Sequence, residues 1–553
     1  MGLLSSACGM LVQSKGKGNM YRLCTVALAA CMAFNLAGCG GGRARVPCEQ
    51  DSRCARYALT VDFPILDPHI AELPEAGMIF RQIYDTLVYR NTRTKEFLPG
   101  LARSWETSPD GLVYTFHLRD DVRFHDGTPF SAASVAANLD RIVDPVIVSR
   151  RARSLLGPFS HYEILDARTI RLYLHAPFAP LLDSLAQPFL GIASEHALAS
   201  YDSLRYQFHQ SGSGPFVLEK YLPGDRIVLR RFDRYATEAG IYSTLSGGEV
   251  QRVEFYIAEG QNATSQQVLS ETFDILDEVP PKTATNLAGN SRIQVMPIEI
   301  PGQTVQLLFN TRREHVNDVD VRRALLVATN RVAIANNIYA NYSPVAWAPL
   351  SIATGYSHTG FVNELAYDLG VAQEMLKQSG YQDLDEDGIL DRDGVPLRLS
   401  IVVPPWGQLP EVAEFIREQW RQIGVQLEID SVPGFARLAE KIRTGENDLV
   451  AVESYGLDPA ILGNIFSNQA IYARSRIDDE LLNDLLLNAV ETQDPSSRRS
   501  QYYDIQAYLM TNALILPIRE NVRLRLARSN VRDLRFDAYG FYPLLFNMRL
   551  DGN

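Results

Sequence analysis

Strand-like and helix-like patterns of apolar residues alternate along most of the chain. The stretch GLVYTFHLR predicts a strand with Leu112, Tyr114, Phe116 and Leu118 on one face and more polar positions on the other. The stretches YDLGVAQEMLKQSGY and EVAEFIREQWRQIG carry apolar residues at helical spacing, and the strand-like VQLEI follows the second of them. This mixture predicts an α/β fold.

The first of these helices has clear end signals. Asp368 is its predicted N-cap and Gly380 its predicted stop. The spacing predicts that its buried side is formed by Val371, Ala372, Met375 and Leu376.

Two histidines raise the question of a metal or catalytic site in the stretch HLRDDVRFHDGTPFSA. His117 falls on the polar face of the predicted strand beside Arg119, whose charge disfavours a bound cation. His125 begins a turn that leads into a helix with Ser131 as its N-cap. Neither histidine has the helical spacing of a zinc site. We therefore predict that the stretch is structural.

Composition and missing motifs narrow the possible functions. The chain of 553 residues has a formal net charge of −12, which leaves no basic excess to neutralise nucleic-acid phosphates. The sequence contains no phosphate loop, no dinucleotide-binding fingerprint and no Gly-x-Ser-x-Gly nucleophile elbow. We expect neither an enzyme nor a cofactor, and no nucleic-acid partner.

The N-terminus has the pattern of an export signal. A basic segment precedes the apolar LCTVALAACMAF, and the LAGC that ends at Cys39 resembles a bacterial lipobox. We predict a signal peptide over residues 1–38, lipid on Cys39 and a tether over 39–56; the alternative is an ordinary signal peptide with an incidental cysteine. Cys48 and Cys54 remain as an even pair in an exported chain, which predicts a disulfide between them.

One acidic stretch has the spacing of a calcium loop. DLDEDGILD places Asp383, Asp385, Asp387 and Asp391 in ligand positions, but Gly394 stands where a bidentate glutamate normally closes the site. The alternative is an acidic turn between a helix and a strand, so calcium is a weak candidate.

Several longer stretches resemble one known family. They include LDPHIAELPEAGMIFRQIYDTLVYR, GSGPFVLEKYLPGDRIVLRR, VDVRRALLVATNR and EFIREQWRQIGVQLEI. In these motifs, from Leu66 to the C-terminal region, the chain is similar to the extracytoplasmic solute-binding proteins of oligopeptide, dipeptide and nickel ABC importers, family 5. It departs from the family where the segment NPDYW is common, because this chain has FDRYA.

The resemblance implies a bilobal, flytrap-like protein whose hinge-linked lobes close on a solute. It implies that lobe I comprises 57–84, 206–298 and 510–553, that an extra domain of 85–205 is inserted into it, and that lobe II comprises 299–509. The expected function is that of a monomeric, lipid-anchored receptor in the periplasm or at the cell surface, which delivers peptides or peptide-like solutes to an ABC permease. The alternatives are a non-peptide solute, such as a nickel chelate or an oligosaccharide, and a sensor or interaction protein with the same fold.

The resemblance also implies the ligand-binding residues, which are Ala71, Glu72, Leu73, Glu453, Ser454 and Tyr455. In peptide-binding members an aspartate of the motif ADYNDP pairs with the α-amino group of the peptide, and Tyr455 replaces it in ESYGLDP. Either Glu453 takes over this role, or the ligand has no free amine and Glu453 is a rim residue. We expect the second case.

Overall fold

The computed structural model describes Cys48 and residues 53–236, 241–242, 247–258, 265–361, 366–467 and 479–551. Ser52–Asn553 form one compact unit. The predicted signal peptide and Cys39 lie outside the described residues, as does nearly all of the tether before residue 53. No helix in the described part of the chain is both long and apolar enough to cross a membrane.

The strands of the described residues, numbered in chain order, are β1 Cys54–Leu59, β2 Val88–Arg90, β3 Phe97–Pro99, β4 Ala102–Thr107, β5 Val113–Leu118, β6 Phe159–Asp166, β7 Thr169–Leu174, β8 Phe216–Leu222, β9 Arg226–Arg231, β10 Arg252–Ile257, β11 Ile275–Leu276, β12 Ile293–Glu299, β13 Gly302–Phe309, β14 Asp391–Arg392, β15 Val395–Pro396, β16 Arg398–Val403, β17 Gln426–Ser431, β18 Leu449–Tyr455, β19 Ile515–Arg519, β20 Val522–Arg528, β21 Val531–Arg532, β22 Arg535–Phe536, β23 Pro543–Leu544 and β24 Arg549–Leu550.

The helices of the same residues are α1 Gly77–Ile83, α2 Ala132–Val143, α3 Arg150–Leu156, α4 Leu181–Ser184, α5 Glu195–Ser200, α6 Ser203–Tyr206, α7 Ser265–Leu269, α8 Pro281–Leu287, α9 Val319–Val327, α10 Arg331–Asn337, α11 Leu369–Gln378, α12 Leu409–Arg421, α13 Phe435–Thr444, α14 Gly463–Phe466, α15 Glu480–Glu491 and α16 Pro495–Thr511. Short 3-10 turns occupy Pro74–Ala76, Pro188–Leu190 and Pro459–Leu462.

Lobe I is built on a seven-stranded sheet of order β12-β20-β11-β1-β10-β9-β8. Its central strand β1 runs parallel to both β10 and β11. Tyr57 of β1 joins the core on one face of the sheet, and Ala58 joins the core on the other. The sheet is therefore covered on both faces, as is usual for parallel central strands.

Lobe II is built on a five-stranded sheet of order β17-β16-β18-β13-β19. Every residue of β13 is buried. Leu307 and Leu308 of this strand belong to two separate hydrophobic cores, because successive side chains of a strand point to opposite faces. The mixed sheets and helices confirm the predicted α/β fold class.

A four-stranded antiparallel sheet of order β4-β5-β7-β6 has a core of its own. Its strands all lie inside the predicted insertion, whose bounds of 85–205 stay a prediction. Tyr114, Phe116 and Leu118 of β5 are buried, as the alternating pattern predicts. Ser131 is the N-cap of α2 and forms a capping box with Ser134.

Along the described strands, the chain crosses between the two large sheets twice. The first crossover follows Glu299, the last residue of β12, and the second follows Arg519, the last residue of β19. Strand β19, which follows the predicted boundary after residue 509, pairs with β13 in the sheet of lobe II. The domain boundaries stay a prediction.

Helix α11 shows where a local pattern succeeds and where it fails. The Asp368 side chain accepts a hydrogen bond from the backbone N–H of Val371, so the predicted N-cap is confirmed. Ala372 and Leu376 are buried as predicted, but the side chain of Val371 is exposed. Val371 lies beside the buried stripe that passes through these two residues, one turn apart on the helix.

The two histidines of the opening question have structural contacts. Nε2 of His125 lies 2.9 Å from the carbonyl oxygen of Gly214, and the ring packs edge-on against Phe232. Burial lowers the pKa of His125 to about 4, so the ring is neutral at pH 7. Nε2 of His117 lies 3.7 Å from a carboxylate oxygen of Glu106.

Cys48 and Cys54 are both disulfide-bonded and both buried. Their pairing with each other stays a prediction.

Candidate functional site

Strand β18 carries polar side chains to the end of the lobe II sheet that meets lobe I. Its first four residues are buried, whereas Glu453, Ser454 and Tyr455 are half-buried. Gly302, the first residue of β13, pairs with Tyr455. A side chain at Gly302 would overlap the carbonyl oxygen of Ser454, so a glycine lets the two strands approach closely at the first crossover.

Tyr455 joins the two lobes. Its hydroxyl donates a hydrogen bond to Oε1 of Glu453 over 2.7 Å, and accepts one from Nη2 of Arg523 in lobe I over 3.2 Å. The tyrosine ring also packs against Phe541, with 5.3 Å between ring centroids. Burial and the Glu453 carboxylate raise the pKa of Tyr455 well above its ordinary value, so the hydroxyl stays protonated and can donate. Glu453 and Tyr455 share a strand face because the segment is extended.

Arg523 of β20 lies among carboxylates from three parts of the chain. Its Nη2 donates to Oε1 of Glu75 over 3.3 Å. Its Nη1 lies 3.9 Å from Oδ2 of Asp277 and 3.7 Å from Oε2 of Glu278. On the lobe II side, Glu453 accepts a further hydrogen bond from the side chain of Asn521 over 3.3 Å. We call Glu75, Asp277, Glu278 and Glu453 the acidic cluster.

A second arginine neutralises part of this cluster. Arg525 is fully buried, and its Nε lies 3.0 Å from Oδ1 of Asp277. Its two terminal nitrogens donate to the carbonyl oxygens of Gly540 and Phe541.

The site carries more negative than positive charge. Three of the four carboxylates lie within 4 Å of the guanidinium groups of Arg523 or Arg525, and Glu453 is linked to Arg523 through the Tyr455 hydroxyl. Loss of water raises the pKa of Glu278 against the opposing effect of Arg523, as expected for a carboxylate whose charge is incompletely compensated. The arrangement can therefore accept a further cationic group.

The structure separates the predicted residues of the first segment from this cluster. Ala71 is buried in the core of lobe I, and Leu73 packs against that core. Glu72 points elsewhere: its carboxylate lies 3.6 Å from Arg150, and its carbonyl oxygen accepts a hydrogen bond from Arg151. The 3-10 turn Pro74–Ala76 follows, and Glu75 within it accepts a hydrogen bond from Arg523.

Ser454 pairs through its backbone with Gln303, and it lies between the two residues of β18 that reach the site. The sequence analysis missed Asn521 of the second crossover and the lobe I residues Glu75, Asp277, Glu278, Arg523 and Arg525. A signal was present in NVRLRLAR, where arginines alternate with leucines along a strand that is buried in the sheet.

A cavity of about 440 Å³ opens beside the first crossover. Its lining includes Ile298, Pro301, Ala353 and Phe536, and none of the acidic cluster. Lys95, Glu299, Arg535 and Asp537 also line it, so its charges are balanced in sign, whereas the excess of carboxylates lies between the lobes and defines the candidate site.

The acidic turn is a separate feature of lobe II. The carboxylates of Asp383, Asp385 and Asp387 lie within 4.8 Å of one another and are exposed. Asp391 stands apart from this group in β14, where its backbone pairs with Gln382. Calcium binding there stays a prediction.

Comparison with known proteins gives concordant results. The family model described as "Bacterial extracellular solute-binding proteins, family 5 Middle" matches residues 96–470. The glutathione-binding protein GsiB of Shigella dysenteriae is 25% identical over 484 residues, which cover 83% of this chain and 88% of GsiB.

Two solved structures have a similar fold. NikA from Brucella suis, in complex with Fe(III)-EDTA, aligns with a TM-score of 0.80 at 20% identity, over 90% of this chain and 100% of NikA. DppA from Helicobacter pylori, in complex with the peptide STSA, aligns with a TM-score of 0.75 at 23% identity, over 90% of this chain and 98% of DppA.

Proposed function

The chain belongs to the bacterial extracellular solute-binding proteins of family 5, and we propose that it is the receptor of an ABC importer for peptides or peptide-like solutes. The family is one of transport proteins and not of enzymes, and the predicted bilobal fold is confirmed by the structural neighbours. In this proposal, lipid on Cys39 holds the receptor at the membrane, where it hands its solute to a permease. Glutathione, which the relative GsiB is named for, is itself a small peptide.

The excess of carboxylates between the lobes carries the proposal. An ammonium group in a cleft with little water needs an anionic partner, because an unpaired charge there costs several kcal/mol. Tyr455 has no charge to offer, but it holds Glu453 beside the other carboxylates of the acidic cluster. We therefore favour a ligand with a free amine, in place of the amine-free ligand expected from the sequence.

The position of the cluster links binding to closure of the lobes. Glu453 belongs to lobe II, whereas Glu75, Asp277 and Glu278 belong to lobe I. A cation between them is attracted by both lobes at once, so it binds the closed form more tightly than the open form. Such differential affinity is what shifts an equilibrium toward closure.

Calorimetric titration of purified mature protein tests the proposal. The probes are the peptide Ser-Thr-Ser-Ala, the same peptide with its N-terminus acetylated, glutathione and Fe(III)-EDTA. We expect binding of at least one free-amine peptide, with a loss of about tenfold or more on acetylation, which is about 1.4 kcal/mol. Binding of Fe(III)-EDTA without binding of either free-amine peptide would favour a metal-chelate receptor.

A further inference from the structure

Arg523 makes fewer hydrogen bonds than Arg525, the other arginine of the site. Its Nη2 has two hydrogen-bond partners, Glu75 and Tyr455. Its Nη1 is buried and has no hydrogen-bond partner among the described residues, although carboxylates of Asp277 and Glu278 lie 3.9 and 3.7 Å away. The guanidinium group is thus held partly by charge alone, without a directed contact at Nη1.

Arg525, two residues along the same strand, gives the contrast. Its Nε and both terminal nitrogens all donate hydrogen bonds, and its side chain is fully buried. Removal of Arg525 would leave backbone carbonyls without donors, whereas Arg523 contacts only side chains in these bonds. Arg525 is therefore a fixed part of lobe I, and Arg523 is the cation that can move.

From these contacts we infer that Arg523 is a built-in counter-ion, which the cationic group of a ligand displaces from the acidic cluster. The inference rests on the proposed function and adds the residue that sets the selectivity of the site. Without a ligand, the guanidinium group lies against carboxylates of lobe I and is linked to Glu453 of lobe II through the Tyr455 hydroxyl. A ligand ammonium takes over these contacts, so the affinity of the receptor reflects a competition between two cations.

The surroundings argue against the other role for Arg523, which is to bind a carboxylate of the ligand. The carboxylates of Glu75, Asp277 and Glu278 all lie within 4 Å of its guanidinium nitrogens. Its face is also covered by Phe541, with the guanidinium carbon 4.3 Å from the ring centroid. A carboxylate of the ligand would be repelled by these three carboxylates as it approached Arg523.

Neutral and charge-keeping substitutions of Arg523 test the inference. Arg523→Met removes the charge and keeps much of the length, whereas Arg523→Lys keeps the charge. Arg421→Met is the matched control, because it removes an arginine whose pair with Glu418 lies on the exposed face of α12. The probes are free-amine Ser-Thr-Ser-Ala, its acetylated form and glutathione.

Arg523→Met is expected to bind about tenfold more tightly than the wild type to the free-amine probe that the wild type recognises. The acetylated peptide should show no matching gain. Arg421→Met should stay near the wild type, whereas Arg523→Lys should gain less affinity than Arg523→Met because it keeps a cation that the ligand must displace. Weaker binding by Arg523→Met would overturn the inference alone and show that Arg523 holds the ligand. If neither the wild type nor the variants bind the free-amine probes, the proposed function is wrong, and so is the inference that rests on it.

Thermal unfolding without ligand at two pH values tests the same inference independently of binding. In Arg523→Met, Glu75, Asp277 and Glu278 lose the guanidinium group that lies within 4 Å of them, while Asp277 keeps its contact with Arg525. Without that cation, the mutual repulsion of the carboxylates costs more stability at high pH, where they are charged, than at low pH. The difference in melting temperature from the wild type should be larger at pH 8 than at pH 5. A difference that does not change with pH would contradict the counter-ion role.

Discussion

The backbone N–H of Ile300 donates a hydrogen bond of 2.8 Å to the carbonyl oxygen of Asn521. These two residues lie in the two crossovers between the lobes, so the crossovers run side by side and are joined to each other. Asn521 also donates through its side chain to Glu453 in the site. Bending of this paired connection is therefore coupled to the geometry of the acidic cluster.

The first prediction concerns this hinge. Ligand binding should lower the radius of gyration of the mature protein in small-angle X-ray scattering, because the lobes close around the bound solute. The measurement compares the ligand-free protein with protein saturated by the tightest free-amine probe. Unchanged dimensions at saturation would contradict closure by a hinge.

The second prediction concerns the buried pair of Arg525 and Asp277. Arg525→Met leaves the Asp277 carboxylate buried without its partner at 3.0 Å. Breaking a buried pair in this way typically costs about 3–5 kcal/mol. Denaturant unfolding should show this loss, and the double variant Arg525→Met with Asp277→Asn should recover part of it. A single variant as stable as the wild type would show that the pair adds nothing to lobe I.

The third prediction concerns the pH dependence of stability. Burial lowers the pKa of His125 to about 4, below its value in the unfolded chain. The neutral ring therefore contributes stability that is fully present above about pH 6.5 and is lost as pH falls toward 4.

Replacement of the histidine separates its contribution from that of other groups. His125→Gln should show a smaller drop in melting temperature between pH 7 and pH 4.5 than the wild type. His161→Gln, at an exposed position, should behave like the wild type. If the melting temperatures of wild type and His125→Gln fall equally with pH, His125 does not contribute to the loss of stability in acid.

The fourth prediction concerns membrane attachment. Cys39→Ser removes the acceptor of the predicted lipid, so the folded protein should be released from membranes into the soluble fraction. The measurement is fractionation of cells after a high-salt wash, with the unsubstituted protein as the control. Retention of the variant in the washed membranes would contradict the lipoprotein assignment.

Local features were predictable because their causes lie close together in the sequence. Ser131 caps its helix by contacts within one turn, and the strand around Phe116 follows from alternation alone. Glu75 and Arg523 are in contact although they are 448 positions apart in the sequence, and the local spacing of residues does not indicate such a contact. Likewise, only the fold shows that Glu75 contacts Arg523 while the Glu72 carboxylate contacts Arg150. Prediction of the site therefore requires the tertiary fold, whereas prediction of these helices and strands requires only the local sequence.

The most direct test of the account is the effect of Glu453→Gln on the affinity for Ser-Thr-Ser-Ala or glutathione, measured by calorimetry with the acetylated peptide and Tyr455→Phe in parallel. Loss of the Glu453 charge should weaken free-amine binding by about tenfold or more, or about 1.4 kcal/mol, because the ammonium loses an anionic partner. Tyr455→Phe should cost less, since it removes a hydrogen bond to Glu453 and leaves the charge. If Glu453→Gln binds as the wild type does and acetylation changes nothing, the acidic cluster does not recognise an amine, and the central claim is wrong.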